Sequence, residues 1–397
     1  MKILHTSDWH LGRGFHGTSL REEQTEMLSR LCAEVEEQQI DLVLVAGDVY
    51  DRALPPEWAV KLLDDTLYSL IQAGAQVVVT PGNHDSAQRL GFTSRLTTAA
   101  GVHLRTQLAD AWTPVSFTQE DGSQLLVYGV PYLEPQLCAE ELGLQKAHHT
   151  SVMTEVLNRI RQDAADRGES ATTVVMAHLF AARGIASESE RNIGAPAVPE
   201  ESLDHHEETV GGLAVVPLEL FEGFDYVALG HLHGRQRLAE RIRYSGSPLR
   251  YSFSEESQGK GAWLIESTEL ADPGSAITGL DWQIGREVKR LKGELDSILD
   301  PATVQRWSEA FVQITLTDDE RPERAYQRLR EVYPHLMQYS YAGAATQREA
   351  TTYSKKFAEA ATELDLVASF LDHVRHRSAD DEELALVEQA LQEARTA

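Results

Sequence analysis

Cysteine is almost absent from this chain: 397 residues hold two, Cys32 and Cys138, far apart and in no metal-binding or redox spacing. A disulfide scaffold and a thiolate metal site are excluded, and both thiols read as small buried or half-buried residues. Basic residues are scarce, 36 against 62 acidic, for a formal charge of −26. That balance repels anionic surfaces and predicts weak non-specific nucleic-acid binding by the isolated chain. It does not exclude a nuclease, because divalent cations in a cleft invert the local field and a partner can bring basic surface. No apolar run reaches the roughly 18–20 residues that span a bilayer, and the opening MKILHTSDWH runs straight into a strand-like pattern without a signal peptide. A cytoplasmic protein with no membrane partner is expected. The chain also lacks internal repeats, low-complexity tracts and a phosphate loop of the GxxxxGK[S/T] type.

What remains is ordinary globular composition, 42% apolar and 25% charged, in a length suited to about two or three domains. To about residue 266, short apolar runs alternate with amphipathic stretches, which indicates a layered α/β domain. Strands are expected at Lys2–Thr6, Asp41–Ala46, Gln76–Val79, Leu125–Val130, Thr173–Ala177, Tyr226–Leu229, Ile242–Tyr244 and Ala262–Ile265. Helices are expected over Leu20–Gln38 and from Pro55-Pro56 to about Leu70. Residues 268–285 are rich in turn formers and read as a linker, so the first domain is placed at 1–267. A small α+β cap follows over 286–350, with a strand at Phe311–Leu316 and a helix at Pro322–Val332. Residues 351–397 hold two helix candidates. The first carries Phe357, Leu364, Val367, Phe370, Leu371 and Val374 on one face, and the second opens at a capping box of Ser378 with Asp381. Their stripes fit either the chain's own core or docking on another protein.

Five blocks carry hard ligands, nearly all where an apolar run gives way to a loop: Asp8-Trp9-His10, Gly47-Asp48, Gly82-Asn83-His84-Asp85, His178 and Gly230-His231-Leu232-His233. Sites in α/β domains form at such strand ends. Residues i and i+2 of an extended segment share a side, so D-x-H and H-x-H can each aim two ligands at one ion. Asp8, His10, Asp48, Asn83, His178, His231 and His233 are too many for one ion and enough for two if a carboxylate bridges. Carboxylate, amide and imidazole without thiolate favour manganese, iron or zinc. Two such ions clamp a phosphate and acidify water, so phosphoester hydrolysis is the expected reaction. His84, between a ligand and an acid, is the candidate general acid, with Asp85 orienting it and supporting the imidazolium. The pairs His148-His149 and His205-His206 read as solvated loop residues.

In this order the blocks resemble the calcineurin-like metallophosphoesterase superfamily, whose pattern is D-x-H, G-D, G-N-H-D/E, a lone His and G-H-x-H; the match covers Met1 to about Ile265. HTSDWHLG (5–12), AGDVYDR (46–52), TPGNHD (80–85) and YSGSPLRYSFSE (244–255) are similar, more narrowly, to nuclease subunits of bacterial DNA-processing ATPase complexes. The resemblance implies a four-layer αββα core, two manganese ions, and hydrolysis of DNA as a double-strand exonuclease and single-strand or hairpin endonuclease in repair, recombination and replication. It implies that Asp8, His10, Asp48 and His233 hold one ion and Asp48, Asn83, His178 and His231 the other, with His84 catalytic. It further implies a subunit pair meeting through Trp58, Leu62, Leu90 and Phe92, a cap that grips duplex DNA, and C-terminal helices docked on the coiled-coil base of an ATPase. Two alternatives stay open. One is a small-molecule phosphatase or phosphodiesterase, weakened by Ala53 where protein phosphatases carry the last glycine of G-D-x-x-D-R-G and by GNHD in place of GNHE. The other is a non-catalytic scaffold, against which His84 and Asp85 speak.

Overall fold

The computed structural model describes residues 1–168, 171–182, 209–210, 213–342, 362, 364–368 and 380–396. It divides into two compact units, Met1–Val288 and Lys289–Ala397.

The first unit contains β1 (Lys2–Thr6), α1 (Arg21–Gln38), β2 (Leu42–Ala46), α2 (Glu57–Gln72), β3 (Gln76–Thr80), β4 (Val102–Leu104), β5 (Val115–Thr118), β6 (Gln124–Gly129), α3 (His149–Arg167), β7 (Thr172–His178), β8 (Tyr226–Gly230), β9 (Gln236–Arg237), β10 (Ile242–Tyr244), β11 (Gly261–Glu266) and β12 (Ile277–Asp281). Two six-stranded sheets result, in the orders β12-β11-β1-β2-β3-β4 and β9-β10-β8-β7-β6-β5. In the first sheet β1, β2, β3 and β4 run parallel, and β11 pairs antiparallel with both β1 and the edge strand β12; in the second β10, β8, β7 and β6 run parallel, and the edge strands β9 and β5 pair antiparallel with their neighbours. Ile3, Leu42, Leu44 and Val78 of one sheet interdigitate with Leu125, Val127, Val174, Met176 and Ala228 of the other. β2 is buried at all five positions, as a strand covered on both faces must be.

α2 packs on β3, with α1 beside α2. The buried stripe of α1 is Met27, Leu28, Leu31 and Val35, at the three- and four-residue spacing of one helical face. The helix ends at Gln39, in the left-handed region at φ 53°. α3 lays Val152, Met153, Val156, Leu157 and Ile160 on the outer face of the second sheet, against Leu126, Tyr128, Val175 and Val227. The layers therefore run helix, sheet, sheet, helix, the αββα architecture expected from the resemblance.

Several expectations need correction. Residues 268–285 are no linker: Ile277–Asp281 pairs antiparallel with Gly261–Ile265 as the edge of the first sheet, and the first unit runs on to Val288. Turn formers dominate the stretch because a half-exposed edge strand needs few apolar residues. The short edge strands β4 and β5 carry too few residues for a periodic signal. Pro56 stands just before α2 rather than in its first turn. His148 is the N-cap of α3, its N–H donating to Ser151 Oγ at 3.2 Å, and His149 lies beside Tyr132. His205 and His206 lie outside the described residues. Among residues expected at a subunit surface, Phe92 is 77% exposed and Trp58 and Leu62 are half-buried, whereas Leu90 is 7% exposed and turned inward.

The second unit has a three-stranded sheet of β13 (Val288–Gly293), β14 (Phe311–Leu316) and β15 (Leu336–Tyr341), with α4 (Ala325–Val332) against it. Its core gathers Leu295, Ile298, Val312, Ile314, Leu316, Leu329 and Tyr333. The expected helix thus begins at Ala325, three residues beyond Pro322. Further on, Leu364 and Val367 fall in a described helical segment, while Phe357, Phe370, Leu371, Val374 and Ser378 lie outside the described residues. α5 (Asp381–Thr396) opens at a reciprocal capping box of Asp380 with Glu383, at 2.9 and 3.1 Å. The N-cap is Asp380, because its carboxylate lies in reach of the Glu383 N–H. No helix among the described residues is long and apolar enough to cross a membrane.

Candidate metal centre

Strands β1, β2, β3, β7 and β8 all end at the same rim; β1, β2, β3 and β8 pass their candidate ligand blocks into the loops beyond, and His178 is the last residue of β7. Asp8, His10, Asp48 and His178 are almost fully buried, as is His233. His10 Nε2 stands 3.0 Å from His233 Nε2 and 3.7 Å from Asp48 Oδ2. His178 Nε2 lies 3.2 Å from Asp48 Oδ2 and 3.1 Å from Asn83 Oδ1, which is 3.2 Å from His231 Nδ1. Asp8, His10 and His233 form one group with ligand atoms close enough for an ion, and Asp8, Asp48 and His178 another. All seven residues singled out as ligands meet in one cluster, with Asp48 at its middle.

The backbone is bent to achieve this. Asp8, His10, Asp48 and His231 all have positive φ, at 53°, 44°, 49° and 104°. Non-glycine residues adopt such angles at a cost of order 1–3 kcal/mol each, and persist there where surrounding structure holds them. The glycines answer to close approach: a Cβ on Gly47 would fall on the His178 ring, on Gly82 on the Asp48 carboxylate, and on Gly230 on the Ala46 carbonyl.

Charge is unevenly distributed in the cluster. Burial drags His178 down, but Asp48 beside it overrides this and lifts it to about 9. Burial raises Asp48, yet His178 and its other imidazole neighbours hold it well below the carboxylate range. Burial pushes Asp8 up to about 6 against the pull of His178 and His233, and burial with His178 sends His231 down to about 3. A cation entering this cluster would displace protons from it.

Two of the candidate ligand histidines are held from behind. His178 Nδ1 is 3.0 Å from the Ala46 carbonyl, which can only accept, so Nδ1 carries the proton and Nε2 is left as a ligand. His233 Nδ1 faces Glu255 Oε1 at 3.3 Å. His84 is likewise anchored by Nδ1, at 2.7 Å from the Asp51 carbonyl. Its Nε2 is buried without a hydrogen-bond partner among the described residues and lies 3.8 Å from Asp48 Oδ2. An orphaned buried nitrogen at the cluster, together with a thiolate-free donor set, fits a site built for divalent cations and an anionic substrate.

Asp85 does something other than expected. Its carboxylate accepts from the backbone N–H groups of Val49 (3.0 Å), Gly82 (3.0 Å) and Tyr50 (2.9 Å), not from the His84 ring. It therefore pins the GNHD loop to the GDVYD loop, and the Asp51 carbonyl takes over the orienting of His84. Burial and the neighbouring Asp48 push Asp85 up to about 7 despite those three donors. Asp85→Ala strands three N–H groups and should lower stability by roughly 2–4 kcal/mol in chelator-treated protein. Asp85→Asn, which keeps one acceptor oxygen, should cost less. A denaturant titration checks this; an alanine variant as stable as the parent would return Asp85 to an orienting role.

Sequence reading did not find the supporting groups: the carbonyls of Ala46 and Asp51, the pair Ser7–Ser245 (Oγ–Oγ 2.7 Å) beside Asp8, and Glu255 with Lys260. Most of them lie inside the quoted stretches, Ser7 in HTSDWHLG, Ala46 and Asp51 in AGDVYDR, and Ser245 and Glu255 in YSGSPLRYSFSE, where no local pattern marks their role; Lys260 lies outside all of them.

The chain belongs to the calcineurin-like phosphoesterase family, whose model matches residues 1–235. A second model, the type 5 capsule protein repressor C-terminal domain, matches 285–375. Within that class the chain is similar to the SbcD component of the nuclease SbcCD from Staphylococcus epidermidis, 29% identical over 345 residues, 86% of this chain and 85% of that protein. The protein of the same name from Staphylococcus saprophyticus is 29% identical over 344 residues, 85% of this chain and 84% of that one.

Proposed function

We propose that this chain is the nuclease subunit of an SbcCD-type complex and hydrolyses DNA phosphodiester bonds with two divalent ions; the donor set accepts manganese, iron or zinc, and the family resemblance selects manganese. The observation that carries the reading is the convergence of the seven candidate ligands, Asp8, His10, Asp48, His178 and His233 of them buried and Asn83 and His231 half-buried, with the His84 Nε2 at the edge of the cluster. Asp8, His10, Asp48 and His233 would hold one ion and Asp48, Asn83, His178 and His231 the other. When bound, such a pair polarises the phosphoryl group and makes water a competent nucleophile at neutral pH. The chain's own residues do the rest. Asp48 is shared between the halves. His84, fixed through Nδ1, presents Nε2 where a proton can pass to the departing 3′ oxygen.

Residues 286–350 are assigned to gripping duplex DNA, and the helices of residues 351–397 to docking the coiled-coil base of an SbcC-like ATPase, which supplies ATP hydrolysis. The name of the staphylococcal relatives and the match of the second family model over 285–375 support this arrangement. The exposed Phe92 supports pairing of two such subunits, giving a heterotetramer working in the cytoplasm on DNA ends and hairpins.

The test is manganese-dependent cleavage of a labelled hairpin and a blunt duplex, with and without the ATPase partner and ATP, beside a small phosphodiester. DNA should be cut, and the partner with ATP should stimulate digestion of the duplex. Hydrolysis of the small ester alone, unchanged by the partner, would overturn the DNA assignment.

A further inference from the structure

Behind His233 lies a buried ion pair that takes no part in the ligand cluster itself. Glu255 is fully buried and Lys260 is 3% exposed. The Lys260 ammonium donates to Glu255 Oε2 at 2.6 Å, to the His233 backbone carbonyl at 2.8 Å and to Ser247 Oγ at 2.9 Å. Glu255 Oε1 faces His233 Nδ1 at 3.3 Å and accepts from Ser252 Oγ at 3.1 Å, while Oε2 also accepts from the Tyr251 N–H at 3.2 Å. One histidine is thus held twice, its main chain by the lysine and its ring by the glutamate. Tyr251 extends the hold, donating its hydroxyl to the Trp9 carbonyl between Asp8 and His10. Gln24 Nε2 donates to the His10 carbonyl at 2.8 Å. A carboxylate can only accept from an imidazole N–H, so this contact leaves Nε2 of His233 as the ligand atom facing His10.

Burying a full ion pair is costly, and a hydrophobic pair of similar volume often folds as well or better. A buried ion pair at this place therefore points to something other than stability. We propose that Glu255 and Lys260 are a positioning dyad for His233: they fix its tautomer and ring plane and so set metal affinity in the Asp8–His10–His233 half of the centre. This rests on the two-ion reading given above. Deletion of a carboxylate behind a ligand histidine ordinarily weakens metal binding about 10–100-fold.

The experiment is calorimetric titration of the metal-free full-length chain with manganese, for the parent and for the double variant Glu255→Leu/Lys260→Met. The double change removes both buried charges together and leaves no acceptor behind His233 Nδ1. The parent should take up two ions; a parent that binds none would refute the two-ion reading rather than the dyad. In the variant one site should weaken about 10–100-fold while the other stays within about twofold, with the thermal midpoint of the metal-free chain little changed. Both sites within twofold of the parent would overturn the dyad, as would an equal loss at both. Should the variant not fold, nitrogen-15 NMR of the parent's histidines decides: a proton on His233 Nδ1 is expected, and one on Nε2 would refute the proposal.

Discussion

Replacing His84 with alanine should slow DNA cleavage by about 10²–10⁴-fold while both ions remain bound. None of the seven ligands is His84, and among the described residues its ring makes one hydrogen bond, to the Asp51 carbonyl. Removing it therefore costs the fold little, and the unpartnered Nε2 has no structural duty to abandon. The loss should fall on kcat rather than KM, because a proton donor to the leaving oxygen acts in the transition state. A substrate with a good leaving group, such as a nitrophenyl phosphodiester, should recover most of the rate, since its departing oxygen needs no proton. Unchanged cleavage of DNA would remove His84 from the mechanism, and an equal loss on both substrates would make it a binding residue.

Asp48→Ala should have a wider effect: manganese stoichiometry below two, loss of DNA cleavage beyond about 10³-fold, and a metal-free chain less stable by roughly 3–5 kcal/mol. Asp48 Oδ2 faces His178, His10 and His84, and Oδ1 accepts the His84 backbone N–H at 2.9 Å. Its removal leaves imidazoles crowded together without their counter-charge. The stability cost should depend on pH in a defined sense. Asp48 lifts His178 from 6.5 to about 9, so this contribution is fully present below pH 6.5 and lost as pH rises through about 9. Asp48 itself lies well below its ordinary 3.8, so its share is present above that value and fades as pH falls further. Thermal melts of chelator-treated parent and variant should differ most between about pH 4 and 6.5 and converge toward pH 9. A gap that does not vary with pH would mean that Asp48 and His178 are not paired in the metal-free chain.

The order of the blocks, read along the chain, is enough to gather the candidate ligands, because each follows a strand whose apolar run is unmistakable. Leu42–Ala46 is buried on both faces and so has no polar alternation to confuse it. Ile277–Asp281 was missed for the opposite reason: an edge strand whose residues are largely exposed carries Thr278, Gly279 and Asp281, and these look like turn formers. Asp85 looks like the orienting group because it is adjacent to His84 in sequence. Adjacent side chains beyond a tight turn need not meet, and its three amide partners come from Gly82 and from a loop 35 residues or more away, at Val49 and Tyr50.

By itself, then, the sequence determined the layered α/β class, the metal-ligating residue types and the likeness to DNA-processing nucleases, since these reside in local pattern and residue chemistry. The tertiary structure alone decided which atom of each histidine faces the centre, that Asp51 rather than Asp85 orients His84, and that Glu255 and Lys260 stand behind His233. Those are contacts across 22 to 132 residues of chain in the cases of His233–Glu255, His84–Asp51 and His178–Ala46. Hydrogen bonds over such separations depend on where two sheets place their strand ends, and no short-range pattern encodes that.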